Sequence, residues 1–313
     1  MATTLADREA RLAFRLLAPT ALIVMAVVLF PVAWNLWLSL KPIGLADLRG
    51  DALFRLDLGF DNYRTVIQDP DFSGVCLTTL IYAGLGSGLS ILLGLAAALL
   101  VHGEFKGRGL LRGLFISPYI APVVAVTFAW SFILDPQLGL VNRLAMDWGL
   151  WHRPIPFLSQ QGWETDLWGW TVYLPLALIS VILFEGWRYF PFAFLFILAR
   201  LQAIDEDLYL AARVDGAGPL QRFRHVTLPQ LYTVLANLFL FRFIWTVNKF
   251  DDIFLLTRGQ AGTKVLTVSV YEHAFGRFDI GAGSALAMLL FALLTLFLVA
   301  YFRWIVREAE SFL

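Results

Sequence analysis

Leu77-Thr-Thr-Leu-Ile-Tyr-Ala-Gly-Leu-Gly-Ser-Gly-Leu-Ser-Ile-Leu-Leu-Gly-Leu-Ala-Ala-Ala-Leu-Leu-Val101 holds no Asp, Glu, Lys, Arg or His. A bilayer core of about 30 Å needs roughly 20 predominantly apolar residues in a helix, and this stretch exceeds that. Five more qualify, near residues 16–40, 110–134, 172–199, 228–248 and 284–306. The expected fold is therefore all-α, a polytopic membrane protein of about six transmembrane helices. Leu16 to Leu40 is too long for a signal-peptide core, and no small-residue cleavage site closes it, so it is read as a membrane helix.

Composition agrees. Of 313 residues, 59% are apolar and 15% charged, against roughly 45–50% and about 25% in soluble domains. The 24 Lys and Arg cancel the 24 Asp and Glu, which argues against nucleic-acid binding, and the hydrophobicity excludes a disordered scaffold. Cys76, the single cysteine, cannot close an intrachain disulfide and has no neighbouring Cys or His for zinc. Neither a metal site nor a catalytic residue is expected.

Lys and Arg are denser on the side holding the N-terminus, with Arg8, Arg11, Arg15, Lys106, Arg108, Arg112, Arg200, Arg213, Arg222, Arg224, Arg303 and Arg307. By the positive-inside rule that side is cytoplasmic. Both termini are then inside: residues 1–15 form a cytoplasmic segment, 16–306 the membrane domain, 200–227 its longest inner loop and 307–313 a tail. The outer loops carry most acidic residues and an aromatic belt of Trp148, Trp151, Trp163, Trp168 and Trp170. Gly84, Gly86, Gly88, Ser90 and Gly94 in the second span, and Gly281, Gly283, Ser284 and Ala285 opening the sixth, permit close helix packing. Prolines 31, 118, 122, 175 and 191 can kink or interrupt helices.

The inner loop reads Ala203-Ile-Asp-Glu-Asp-Leu-Tyr-Leu-Ala-Ala-Arg-Val-Asp-Gly-Ala-Gly-Pro-Leu-Gln-Arg-Phe-Arg-His-Val-Thr-Leu-Pro229. Asp205, Glu206 and Asp207 suit a helix N-terminus, Gly216 a left-handed helix end, and Pro219 the start of a second helix. Leu208, Ala211, Ala212 and Val214 give the first helix an apolar face that so short a loop cannot bury. It should dock on another protein.

At Leu210-Ala211-Ala212, Asp215-Gly216-Ala217 and Thr227-Leu228-Pro229 the loop resembles the signature of ATP-binding-cassette (ABC) importer permeases, with Leu210 where that family usually has Glu and Asp205 where sugar permeases often have Pro. Phe60-Asp-Asn-Tyr63, Phe105-Lys-Gly-Arg-Gly109, Pro118-Tyr-Ile-Ala-Pro122, Gly139-Leu-Val-Asn142, Phe190-Pro-Phe192, Leu201-Gln-Ala203, Asn248-Lys-Phe-Asp-Asp-Ile253 and Leu255-Leu-Thr257 extend the likeness to the carbohydrate branch, the maltose and glycerol-phosphate type. The resemblance implies a type I importer permease fold in the bacterial cytoplasmic membrane. Residues 206–218 would be a coupling helix that contacts a cytoplasmic ATPase through Asp207, Tyr209, Leu210, Ala211, Ala212, Asp215, Gly216 and Ala217. A second homologous permease, two ATPase copies and an extracytoplasmic solute-binding protein would complete the complex. The chain has no Gly-x4-Gly-Lys-Ser/Thr loop to cradle phosphates, so ATP and Mg would bind the ATPase.

Ionisable residues inside spans are costly and mark interior cavities or pairs. Glu185 and Arg188, three apart in the fourth span, can pair on one helix face, and Arg242 lies deep in the fifth. The family likeness points to a substrate pocket of Glu185, Arg188, Tyr189 and Phe192 with Arg242, Trp245, Thr246 and Lys249. Aromatic rings suit sugar faces, and forked guanidinium bonds suit a phosphate, sulfonate or carboxylate. Two readings stand: an anionic substrate held by Arg188 or Arg242, or arginines neutralised by Glu185 and other neighbours. Asp251, Asp252, Glu272 and His273 are expected on a solvated outer rim.

A secondary transporter driven by an ion gradient is the alternative of another class, but inverted repeats are not evident. A membrane enzyme is the third, yet His102, His152, His225 and His273 are scattered. Reporters fused at either terminus should read as cytoplasmic and one inserted in the 135–171 loop as extracytoplasmic; the reverse pattern would overturn the orientation.

Overall fold

The computed structural model describes residues 5–54, 56–167 and 170–311. Trp168 of the expected belt and the chain ends at 1–4 and 312–313 lie outside them. In chain order the helices are α1 (Leu5–Val24), α2 (Phe30–Ser39), α3 (Asp61–Ile67), α4 (Phe72–His102), α5 (Arg108–Ile120), α6 (Val123–Ile133) and α7 (Leu140–Asp147). The strands β1 (Trp163–Leu167) and β2 (Trp170–Leu174) follow, then α8 (Leu176–Gln202), α9 (Glu206–Val214), α10 (Pro219–Arg222), α11 (Leu228–Val247), α12 (Asp251–Leu256), α13 (Leu266–Tyr271) and α14 (Ile280–Ser311).

Among the described residues, five helical stretches are long and apolar enough to cross a membrane, at Leu12–Ser39, Phe72–His102, Leu176–Gln202, Pro219–Val247 and Ile280–Arg303. The expected span at 110–134 is instead a broken pair, α5 and α6, bent by 98°. Proline explains the break. Pro122 has no N–H for the carbonyl of Pro118 and the residue before it is driven to extended backbone, as Ala121 is with ψ 143°. One turn earlier Pro118 strands the carbonyl of Leu114, and Ser117 Oγ donates to it at 2.8 Å. Two continuous spans absorb their prolines differently: a π-helical turn, Met25–Leu29 or Phe223–Thr227, lies just before Phe30-Pro31 and Leu228-Pro229. Widening the turn moves the i−4 carbonyl away from the ring.

The loop before α8 contains an antiparallel hairpin, with Trp163 opposite Leu174 and Leu167 opposite Trp170. That element was not legible in the hydropathy pattern.

The chain divides into two compact units, residues 1–72 with 269–296 and residues 73–268 with 297–313. In the first, Asn62 clamps the end of α2, donating to the carbonyls of Ser39 at 2.9 Å and Lys41 at 2.6 Å, and Tyr63 OH meets Ser39 Oγ at 2.7 Å. The Phe-Asp-Asn-Tyr stretch is thus a loop staple. In the second, Asn142 does similar work, bonding the carbonyl of Ile155 at 2.9 Å and its N–H at 2.7 Å.

The core of the second unit is built around α8, the most buried of the long helices. Phe190, Ala193, Phe194, Ile197 and Leu201 pack on Ile91, Ala97, Ala98 and Val101 of α4 and on Leu231 and Leu238 of α11. A second cluster joins Tyr82, Val181, Phe184, Ile253, Val265 and Val268, with Trp130 and Trp187 stacked beside it at 5.4 Å between ring centres. Close approach of α4 and α8 depends on glycine. A Cβ on Gly94 would stand 2.7 Å from Ala193 Cβ and 2.8 Å from the Phe194 N, whereas Gly84 and Gly88 have open space. Gly94→Leu should therefore lower stability by about 1–3 kcal/mol or prevent folding, read as thermal unfolding of the purified chain in detergent, while Gly84→Leu leaves the midpoint unchanged.

Candidate functional site

Two constellations in the second unit carry chemistry. The first is the loop between α8 and α11. Asp205 caps α9, its side chain accepting from Asp207 N at 3.0 Å. Gly216 ends the helix with φ +78°. Ala217 N bonds Ala212 O at 2.9 Å and Gly216 N bonds Arg213 O at 3.0 Å, the paired closure of a Schellman motif. Gln221 Oε1 accepts from Gly218 N at 2.8 Å and starts α10 beside Pro219. Tyr209 fastens the loop, its OH meeting Thr227 Oγ1 at the N-cap of α11 at 3.0 Å and its ring packing on the core shared by α8 and α11, while Arg200 of α8 donates to Gln230 Oε1 of α11 at 2.7 Å and ties together the two helices that the loop joins.

The result is a rigid hairpin of helices whose first member buries none of its residues. Leu210 is 46% exposed and Leu208 and Val214 are also open. Asp207, Ala211 and Asp215 are exposed beside them and Ala212 is half-buried, but Tyr209 turns back against the core. A cleft of about 330 Å³ between the two helices is lined by Ala212, Asp215, Gly216, Ala217, Gln221, Arg222, His225 and Val226.

The second constellation lies where α4, α8 and α11 meet. Glu185 is fully buried and takes three donors: Arg242 Nη2, Thr246 Oγ1 at 2.8 Å and Tyr82 OH at 3.0 Å. Ser90 Oγ receives Arg242 Nε at 3.3 Å, and Ser87 donates to Thr246 at 3.3 Å. Gly86 leaves room for the carboxylate stem, since a Cβ there would come within 2.8 Å of Glu185 Cγ. Tyr189 extends the network: the Arg242 guanidinium lies 4.5 Å from its ring centre and Lys249 Nζ 4.0 Å. Its hydroxyl donates to Asp252 Oδ2 at 3.0 Å and accepts from Arg188 Nε and Lys249 Nζ.

Glu185 and Arg188 do not pair as expected. Glu185 turns across to Arg242, while Arg188 donates Nη1 to Pro118 O at 3.1 Å and Nη2 to Ala121 O at 3.0 Å. These are carbonyls left bare by the break at Pro122, so the guanidinium caps the C-terminal end of α5, where the helix dipole also favours a cation. A buried arginine and an unsatisfied bend answer each other.

Asp252 is the second correction. It was expected on a solvated rim, but it is fully buried, 3.6 Å from Lys249 Nζ, and its Oδ1 has no hydrogen-bond partner among the described residues. Burial pushes its carboxyl up to about 6, against the pull of the Lys249 ammonium. The Lys249–Asp252 spacing of three was the available signal. Asp251 is exposed, Glu272 is half-buried, and His273 binds Ser269 O and Arg277 one turn either side of it. Phe192 and Trp245, 5.0 Å apart, sit beside the network and help line an apolar groove of about 470 Å³; Trp245 is 44% exposed. Thr246 is buried within the polar network itself.

Residues 90–310 match the family described as the binding-protein-dependent transport system inner membrane component. The chain belongs to this family. An inner membrane ABC transporter permease protein of Escherichia coli K12, YcjO, is 34% identical over 282 residues, covering 90% of each chain. The trehalose transport system permease protein SugA of Mycobacterium tuberculosis H37Rv is 32% identical over 284 residues, 90% of this chain and 85% of that one. In fold, the permease resembles a chain of a bacterial ABC transporter involved in import of the acidic polysaccharide alginate, with a TM-score of 0.75, 21% identity and 96% of each chain covered.

Removing Glu185 strands the Arg242 charge inside the helix junction. Glu185→Ala should destabilise the permease by about 3–5 kcal/mol, seen as a fall in its thermal unfolding midpoint in detergent; an unchanged midpoint would show that the pair is not needed.

Proposed function

We propose that this permease is one of two membrane subunits of an ATP-driven importer that carries a sugar or sugar derivative across the cytoplasmic membrane. The observation that carries this reading is α9: a capped, Schellman-closed helix holding Leu208, Leu210 and Val214 out of the core and anchored through Tyr209, which packs on the core shared by α8 and α11 and meets Thr227 at the N-cap of α11. A helix anchored to two spans and apolar on its free face transmits displacement. Its partner is a cytoplasmic ATPase, present in two copies, which binds ATP and Mg and moves α9 when it closes. Leu210 makes that contact apolar where a carboxylate would make it ionic. A second homologous permease covers part of the exposed apolar surface, lipid the rest, and an extracytoplasmic binding protein delivers solute to the outer loops. Support for the substrate class comes from the sugar-transporting relatives and from Tyr189, Phe192 and Trp245, whose rings suit pyranose faces.

Gly216 tests the reading. A β-branched residue is strained at φ +78°, so Gly216→Val should abolish uptake and copurification of the ATPase while the permease itself still folds and inserts. Retained copurification, or uptake that follows an ion gradient and ignores ATP, would favour a secondary transporter instead.

A further inference from the structure

The short helix α7 shows three different sides. Asn142 and Ala145 are buried, and the turn before them is fixed by Asp135: its carboxylate accepts from Gln137 N and Leu138 N, both at 2.8 Å, and its carbonyl from Gly139 N at 3.0 Å and Asn142 Nδ2 at 3.2 Å. Gly139 has no room for a side chain, since a Cβ there would stand 2.3 Å from the Asp135 carbonyl oxygen. The turn thus sets how α7 leaves α6, and the remaining surface of α7 splits in two. Leu140, Leu144 and the capping residue Trp148 recur every fourth position along one exposed row, with Trp148 72% exposed. Arg143 and Asp147 form the neighbouring exposed row, and neither has an ion pair among the described residues. Met146 lies beyond them, nearer the buried side.

We propose that α7 lies in the plane of the bilayer surface, an interfacial anchor whose Leu140, Leu144 and Trp148 enter lipid while Arg143 and Asp147 stay among headgroups and water. Its eight residues reach about 12 Å, too short to cross a hydrocarbon core of about 30 Å. An apolar row set beside a charged row, on a helix that cannot span, is the pattern of a segment at a lipid–water boundary. Tryptophan is favoured at that depth because its ring is amphipathic. Two neighbouring tryptophans are engaged within the protein, Trp151 edge-on to Phe157 at 6.1 Å and Trp163 under the Arg153 guanidinium, whereas Trp148 stands out. Lipid is singled out by what precedes the helix: Val124, Phe128 and Phe132 form an exposed apolar row of the same spacing on α6, and Leu138 and Leu140 resume it after the turn. A protein seated on α7 would have to cover Arg143 and Asp147 and supply counter-ions for both; a membrane surface requires only that they face outward. Because Asn142 holds both backbone groups of Ile155, the anchor also fixes the height at which the loop before α8 leaves the membrane, whatever solute the permease carries.

The test uses the full chain, with the subunits that copurify with it, in nanodiscs of phosphatidylethanolamine and phosphatidylglycerol. In a Cys76→Ser background the single-cysteine variants Leu144→Cys, Trp148→Cys, Arg143→Cys and Asp147→Cys carry a fluorophore. It is quenched by iodide from water, or by a nitroxide on the lipid chain placed either just below the headgroup or near the chain end. All four positions are exposed, so the label leaves the buried side of α7 intact. At 144 and 148 the shallow nitroxide should quench about twofold more than the deep one and iodide should quench little, while at 143 and 147 iodide should dominate. Iodide quenching at all four positions would overturn the proposal by leaving α7 in water, and stronger quenching by the deep nitroxide would do so by placing the row in the hydrocarbon core. Protection of 144 and 148 from every quencher would give the row to a protein partner instead. Protection from iodide that appears only when a solute-binding protein is added would give it to that protein.

Discussion

The ion pair between Glu185 and Arg242 is the constraint around which the helical junction is organised. Two charges removed from water repay their desolvation only when geometry is good and the remaining donors and acceptors are filled. Here Tyr82, Ser90 and Thr246 fill them. Each of these residues comes from α4 or α11, so the polar demands of one carboxylate on α8 fix the rotation of both neighbouring helices. Apolar packing alone leaves such rotation loosely specified, because side chains in a lipid environment gain little from one partner over another. Gly86 is part of the same solution, since the carboxylate stem passes where its side chain would be.

Arg188 solves a different problem with the same chemistry. A helix bent by 98° inside a membrane protein exposes carbonyls that nothing in hydrocarbon can satisfy. A guanidinium with five donors in a fixed fork is suited to reach two of them at once. The charge that looked like a substrate ligand in the sequence is thus also a piece of backbone bookkeeping, and the excess of positive charge near the aromatic residues is smaller than the count of arginines implies.

The continuous apolar helices and the α9–α10 turn were legible because both are local. Hydropathy reports burial in lipid, and Asp205, Gly216 and Pro219 each act on backbone within a few residues. Glu185, Arg188 and Arg242 were conspicuous as charges within spans, but their partners were not. Arg188 meets carbonyls about seventy positions away, which no side-chain pattern encodes, although Pro118 and Pro122 marked where acceptors would be stranded. Ser87 and Ser90 read as small packing residues because their polar role exists only opposite Arg242 and Thr246. Asp252 was misplaced because its acidic neighbour Asp251 gave it the look of a loop residue; α12 turns it inward and leaves Asp251 outside. The hairpin at 163–174 was hidden by a Trp-rich composition that equally suits an interfacial loop.

Reciprocity between Arg188 and the bend restricts how the sequence can drift. Losing the prolines first would straighten the helix and leave a guanidinium in an apolar interior with nothing to bind. Losing the arginine first would leave two naked acceptors at the corner. Neither order offers a neutral intermediate, so a change at position 122 or 188 carries a cost that only a matching change at the other removes.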